Sequence, residues 1–291
     1  QFKGKTTATT EGTDTYGGRS KAGNTTTENE LTVDSGSHTN IYGGWTSGAG
    51  STADAAKQKD SIGNKVTVKG TAAATGDVIG GLTDVADGKA TGNTVTVEKD
   101  LAANIIGGKA ASGDASGNTV NLANATVNSL TGGEGAMTNN NIVNLNGGAN
   151  VTGYVKGGTQ ANGTGNTLNV KGVNSAGTIS GFQKLHFDTE GASTTNPLLN
   201  ITGGATNLDW NTLDASGTSV NRVSLLKNAA GINLTNHTPG TVKSKINEAG
   251  TTEYNIDVAK TGSTITDITY QGYQFKGKTT ATTEGTDTYG G

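Results

Sequence analysis

The chain has 291 residues, 47 of them glycine, with 24 acidic against 21 basic side chains, a net charge of −3 and no cysteine. Only Arg19 and Arg222 are arginines, so the basic footprint of a nucleic-acid binder is absent. Without cysteine there is neither a disulfide framework nor a thiolate metal site, and stability must come from burial and backbone pairing.

The apolar fraction of 31% looks low, but it excludes glycine. With glycine added it reaches the ~45–50% usual for folded chains, so disorder is not the default expectation. No stretch approaches the roughly 18–20 apolar residues that span a membrane. Gln1 opens no signal-peptide pattern, and the chain reads as an excerpt from something longer.

The first eighteen residues, QFKGKTTATTEGTDTYGG, return without change as Gln274 to Gly291. Chance does not produce such a match. It predicts a tandem array: residues 1–273 form one module and 274–291 begin the next identical one. An engineered duplication of one end is the competing reading. In the array, the second copy should occupy the same environment as the first.

A shorter phrase then recurs through the chain. Asn29 heads NELTV, Asn64 NKVTV, Asn93 NTVTV, Asn118 NTVNL, Asn141 NIVNL and Asn166 NTLNV. A period of this size is the signature of a solenoid. The Asn and the two apolar residues of each phrase share parity, so in a strand Val95 and Val97 point inward while Thr94 and Thr96 point out. Stacked coils would set the Asn residues above one another, where their amides can hydrogen-bond from coil to coil. Alternatively, each Asn tolerates a left-handed turn after a glycine such as Gly63, Gly92, Gly117 or Gly165.

A second phrase, apolar residues before Gly-Gly, alternates with the first: Ile41 to Gly44, Val78 to Gly81, Ile105 to Gly108, Leu130 to Gly133 and Tyr154 to Gly158. It is expected to close the second strand of each coil. Glycine there permits positive φ and leaves no side chain against the coils on either side. The polar runs that follow, such as Lys109 to Gly117, read as solvent-facing loops of variable length, and any recognition surface is expected there. Ala53 to Lys59 could form one helical turn. After Gly181 the short period fades. Alternating patches at Phe182, Leu185 and Phe187, at Tyr254, Ile256 and Val258, and at Ile268 and Tyr270 still predict strands, in longer and less uniform coils. Trp210 is expected to fill a wider core or a module junction.

The segment GNTVTVEKDLAANIIGGKAASGDASGNTVNL resembles the passenger regions of large Gram-negative autotransporters (type V secretion), and so does Gly181 to Gly217 with its F-x-x-L-x-F and L-x-I-T-G-G phrases. The resemblance covers roughly residues 19–260. It implies a right-handed parallel β-helix, export across a Gram-negative envelope, and a role in adhesion, aggregation or surface display. Scarce cysteine is usual in that family. The family's translocating barrel is not within this chain, and a perfectly repeated long module departs from the usual pattern.

Chemistry is sparsely signalled. Asp34-Ser35-Gly36-Ser37-His38 hints at a serine protease, but no triad context surrounds His38, His186 or His237, and the string falls where a turn follows a coil strand. Outward strand positions are mostly Thr and Asn, without recurring carboxylate pairs. Thr and Asn columns invite an ice- or glycan-binding reading, though exposed strands favour Thr and stacked Asn in any case. Gly76-Asp77 and Gly113-Asp114 fall outside a calcium β-roll frame. No catalytic, cofactor-binding or metal-ligating residue is assigned.

The sequence therefore predicts an all-β, right-handed parallel β-helix (β-solenoid) with coils of about 25 residues, most regular over 29–182 and less regular over 183–273. The handedness follows from the chirality of parallel crossovers and from the family resemblance. With coils ~4.8 Å apart, a module rises on the order of 50 Å. The expected role is structural and adhesive: one repeat of an extracellular fibre on the bacterial cell surface, mediating adhesion, cell–cell aggregation or biofilm scaffolding, and not an enzyme. Alternatives are a subunit of a non-covalent filament joined end to end and a glycan-degrading β-helix enzyme. Expected partners are identical modules end to end, with host or bacterial surface glycans or proteins. Nucleic acid, cofactors and membrane insertion of this segment are not expected.

Overall fold

The structure, a computed structural model, describes residues 9–11, 13–21, 24–48, 59–160, 163–217, 221–246, 252–275, 282–284 and 287–289. The possible helical turn at Ala53 to Lys59 lies outside them except for its last residue. The chain is a parallel β-solenoid of about eight coils with roughly 26 residues in each. One wall is an eight-stranded parallel sheet built from the Asn-headed phrases, from Glu30–Val33 at one end to Leu213–Ser216 at the other. The facing wall is a 14-stranded sheet that carries the Gly-Gly phrases.

Register is strict because each strand has period two and one face is buried. Val66 lies against Val95, Val95 against Val120, Val120 against Val143 and Val143 against Leu168. Opposite them, Ile41, Val78, Ile105, Leu130 and Val155 align in the Gly-Gly sheet. All belong to one continuous core, of which Trp210 is also part.

The Asn ladder forms. Asn64 Nδ2 donates to Asn93 Oδ1 at 3.0 Å, Asn93 to Asn118 at 3.1 Å, and Asn118 to Asn141 and Asn141 to Asn166 at 3.2 Å each. Asn29 joins at one end through a 2.6 Å bond to Asn64, and Gln183 Oε1 takes over at the other by accepting from Asn166 N at 2.9 Å. The backbone N–H of each ladder Asn donates to the same Oδ1 in the next coil. The left-handed residue is the one before the Asn: Gly63, Gly92, Gly117 and Gly165 have φ between 65° and 70°. The ladder reading therefore holds, and the turn belongs to the glycines.

Four of the five Gly-Gly pairs lie inside strands, as in Asp77–Thr83 and Asn104–Ala110, and do not end them as expected; only Gly157-Gly158 follows the end of its strand, Asn150–Lys156. Their φ values are not left-handed, so closeness is what demands glycine. A Cβ on Gly80 would sit 2.4 Å from the carbonyl oxygen of Gly107, and one on Gly107 2.4 Å from that of Gly132. A Cβ on the second glycine, such as Gly81, would meet the side chain of ladder residue Asn93 at 2.5 Å. The two repeated phrases thus fit together: the Asn column occupies the space the glycines leave.

Two expectations need correction. The runs after Gly-Gly are not free loops: Asp114 bridges Met137, and Ser61–Ile62 pairs with both Thr26–Thr27 and Ala90–Thr91. Stacked coils bring these segments side by side, and their backbone groups pair once stacked. Nor do coils continue to residue 273. Beyond Ile232–Thr235, the strands Lys243–Ile246, Thr252–Thr261 and Thr264–Phe275 form an antiparallel meander on the end of the Gly-Gly sheet. Alternating apolar residues signal a strand but not its direction. The direction is set by the two-residue turn at Gly262-Ser263, where Gly262 has φ 62°.

That meander also covers the end of the Asn sheet. Lys243 Nζ donates to the carbonyls of Trp210, Asn211 and Leu213, and the Tyr254 hydroxyl donates to that of Ala215. Exposed strand edges invite unwanted pairing, and these side chains satisfy this one. Lys243→Met is expected to cost about 2 kcal/mol in urea unfolding, the usual worth of charge-assisted bonds. An unchanged midpoint would show that Lys243 does not hold the edge.

Candidate functional site

The described part of the repeated eighteen residues forms a hairpin. In the first copy, Thr9–Glu11 pairs antiparallel with Asp14–Ser20, Thr9 against Tyr16, Thr10 against Thr15 and Glu11 against Asp14. In the second, Thr282 lies against Tyr289, Thr283 against Thr288 and Glu284 against Asp287. Each pairing is the first one shifted by 273 positions, so both copies form the same hairpin in the same register.

The first hairpin adds a strand to the coils. Asp14–Ser20 runs parallel to Ile41–Thr46, and the outward side chains close over the Gly-Gly corner. The Tyr16 and Tyr42 rings stack at 5.2 Å, Trp45 stacks on Tyr16 at 5.4 Å, and the Arg19 guanidinium lies 4.5 Å from Tyr16 and 4.4 Å from Trp45. Ile79, Leu82 and Ile106 continue this small outer core along the coils. Its aromatic end is buried, with Tyr16 only 4% exposed.

Burial, reinforced by the charge of Asp14, pushes the hydroxyls of Tyr16 and Tyr42 up to about 12. Their unfolded value is ~10. The raised folded value means that the contribution is fully present below pH ~10 and is lost as pH rises towards 12. Stability of the native chain should therefore fall between pH 10 and 12, and more steeply than in the Tyr16→Phe/Tyr42→Phe double variant. Urea unfolding at pH 8, 10 and 11 measures this; equal slopes for the two proteins would contradict it.

A second feature lies on the outer face of the Asn sheet. Asn169 Nδ2 donates to Asn144 Oδ1 and Asn144 Nδ2 to Asn121 Oδ1, each at 2.7 Å. The same column continues into His186 and Asp214. His186 Nδ1 lies 3.2 Å from Asp214 Oδ2, and its Nε2 lies 2.9 Å from Ser216 Oγ. The structure thus places an acid and a hydroxyl around His186, which sequence spacing did not reveal, because Ser216 and Asp214 come from the neighbouring coil. Asp214 is also shared with Lys184 at 3.5 Å and with the Tyr254 hydroxyl. Acyl transfer at Ser216 would further require donors aimed at a developing oxyanion. In its present contacts the cluster continues the outward hydrogen-bonded column. Beside it, Lys171 pairs with Asp188 at 2.8 Å. Burial pushes the Asp188 carboxyl up, but bonds from Lys171 and from the Glu190 N–H outweigh it and hold it below the usual range.

The protease-like string is a corner. Ser37–His38 pairs with Ala73–Ala74, and His38 contacts Thr15 Oγ1 at 2.8 Å and the Ser35 carbonyl at 3.1 Å, with no carboxylate among these hydrogen-bond partners. An open groove of about 460 Å³ lies against the 14-stranded sheet, where Asn150, Ser175, Asn200 and Lys227 are neighbours in register, and Asn174 and Asn196 complete its lining. Ala149, Val173 and Pro197 stand among these side chains, so the lining is mixed polar and apolar, with Lys227 as its charged group. Among the described residues no cluster of three or more His, Asp or Glu side chains is placed to hold a metal ion, and no helix is long and apolar enough to cross a membrane.

The fold and these surfaces define a parallel β-solenoid with a repeated terminal hairpin. No family model, curated protein or solved structure matches the chain.

Proposed function

We propose that the chain is a structural and adhesive module of an extracellular bacterial surface fibre, of the kind built by the passenger regions of autotransporters. The observation that carries this reading is the repeat: eighteen residues recur, and within both copies the described strands pair as the same hairpin, Thr9–Glu11 with Asp14 to Tyr16 and Thr282–Glu284 with Asp287–Tyr289. A hairpin that begins one stack of coils and follows the end of that stack is what a tandem array requires at each junction. The buried Asn ladder supports a mechanical role, because hydrogen bonds run coil to coil along the stacking direction, beside the backbone bonds of both walls. Adhesion is assigned to the outer faces, above all the groove beside Lys227.

Two measurements test this reading. Surface material boiled in detergent should run as one very large covalent species, whereas collapse to a band of single-module size would remove the tandem array. Cells that display several modules should aggregate more than cells without them; no difference would remove the adhesive role and leave the structural one.

A further inference from the structure

The two hairpins are alike in sequence and pairing but differ in what lies beside them. Asp14–Ser20 pairs on its second edge with Ile41–Thr46, Thr15 against Ile41 and Tyr16 against Tyr42. Asp287–Tyr289 pairs with Thr282–Glu284 and, among the described residues, with no other strand. Among the described residues there are therefore two hairpins of one sequence and one edge that receives a hairpin of that sequence.

Much of what holds the first hairpin on that edge comes from within the repeated segment. Thr15 N donates to the Asn40 carbonyl at 3.0 Å, and Thr39 N donates to that of Thr13 at 2.8 Å. Asp14 Oδ1 accepts from both Asn40 N at 3.1 Å and Asn40 Nδ2 at 3.0 Å. Tyr16 supplies the stacking on Tyr42 and Trp45. Arg19 and Ser20 lie beyond the eighteen repeated residues, so the cation–π contacts of Arg19, the pairing of Arg19 and Ser20 with Trp45 and Thr46, and the 2.8 Å bond from Ser47 N to the Ser20 carbonyl are not supplied by residues 274–291.

We propose that the C-terminal hairpin of one chain docks on the Ile41–Thr46 edge of a second copy in place of that copy's own hairpin, so that chains join head to tail. The transferred register sets Thr288 against Ile41 and Tyr289 against Tyr42. Exchange of an identical element between protomers is a low-cost route to association, since the incoming hairpin carries the same residues as Thr13 to Gly18 of the one it displaces and can remake their bonds. The exchange is heterologous: a donor end meets a receiving end, and each added chain offers a fresh donor. It rests on the solenoid fold and the repeat, and not on the surface-fibre reading. In a covalent array the same hairpin serves the next module within one chain.

The test compares four chains refolded over a range of concentrations and followed by sedimentation velocity: the unaltered chain, Tyr16→Ala, Tyr289→Ala, and a chain lacking residues 274–291. The unaltered chain should form dimers and longer species as concentration rises. Tyr16→Ala weakens only the resident hairpin and should lower the concentration for association about tenfold or more. Tyr289→Ala weakens only the donor and should raise it by a similar factor. The truncated chain should stay monomeric. Monomers throughout, association that survives truncation, or the same response to both Tyr variants would each overturn the proposal. Should Tyr16→Ala fail to fold, a labelled peptide of residues 274–291 gives a second readout. It should be retained by the refolded unaltered chain where a scrambled peptide is not, and equal retention overturns the docking. A chain that stays monomeric leaves the covalent array standing. Native fibres that collapse to single modules remove the array and leave the exchange standing.

Discussion

Asn118→Ala is expected to destabilise the folded chain by on the order of 4 kcal/mol. Asn118 is fully buried in the middle of the ladder. Its Oδ1 accepts from Asn93 N at 2.9 Å and from Asn93 Nδ2 at 3.1 Å, while its own Nδ2 donates to the Ala90 carbonyl at 2.9 Å and to Asn141 Oδ1 at 3.2 Å. Alanine removes all four bonds and leaves a backbone N–H and two acceptors short of partners inside the core. Each such group costs ~1–3 kcal/mol. Asn93 Nδ2 keeps a bond to the Ser61 carbonyl, which limits the loss. The control is Asn144→Ala on the outer face. It also breaks ladder bonds, but its column is only half-buried and water can replace it, so the cost should stay within about 1 kcal/mol. Urea unfolding monitored by circular dichroism separates the two, and equal effects would show that the buried ladder has no special weight.

Gly107→Ala should cost ~3 kcal/mol or more, although it adds a single carbon. The new Cβ would lie 2.4 Å from the Gly132 carbonyl oxygen and 2.8 Å from Asn118 Cβ. Neither neighbour is the flexible end of a side chain, so the coils must separate beside the Asn ladder, and overpacking of this kind usually costs ~1–3 kcal/mol or more. Gly204→Ala is the matched control. Nothing lies within 4 Å of its added Cβ and its φ is not left-handed. There the loss of chain entropy in the unfolded state should leave stability unchanged or raise it by up to about 1 kcal/mol. A Gly107→Ala chain as stable as the native one would mean that neighbouring coils can slip apart without cost.

These two residues also show how much of the fold can be read from the chain. Asn118 belongs to a phrase that recurs every 23 to 35 positions, always with two apolar residues of the Asn's own parity, and period-two strands turn that into a face, a register and a buried column. The Gly-Gly phrase announces closeness, and its place inside a strand becomes clear only when the facing Asn column is in view. The cluster of His186, Asp214 and Ser216 was not legible, because no local pattern joins residues on neighbouring coils when the coil length between them drifts; His186 and Asp214 are 28 positions apart. The meander was half legible. Tyr254, Ile256, Ile268 and Tyr270 alternate as strand residues, and the Gly262-Ser263 turn signal lay between them.

By itself the sequence determined that this is a stacked, strand-built chain. Repeated Asn, Val and Gly at fixed parity can bury their apolar faces only by lying on copies of themselves. It also determined that the terminal segment repeats. The tertiary structure alone decided where stacking stops. A strand's direction and its neighbour depend on closing a core and covering an edge, as Lys243 and Tyr254 do at one end and the Tyr16 hairpin at the other. Those are long-range interactions, and no spacing within the chain encodes them.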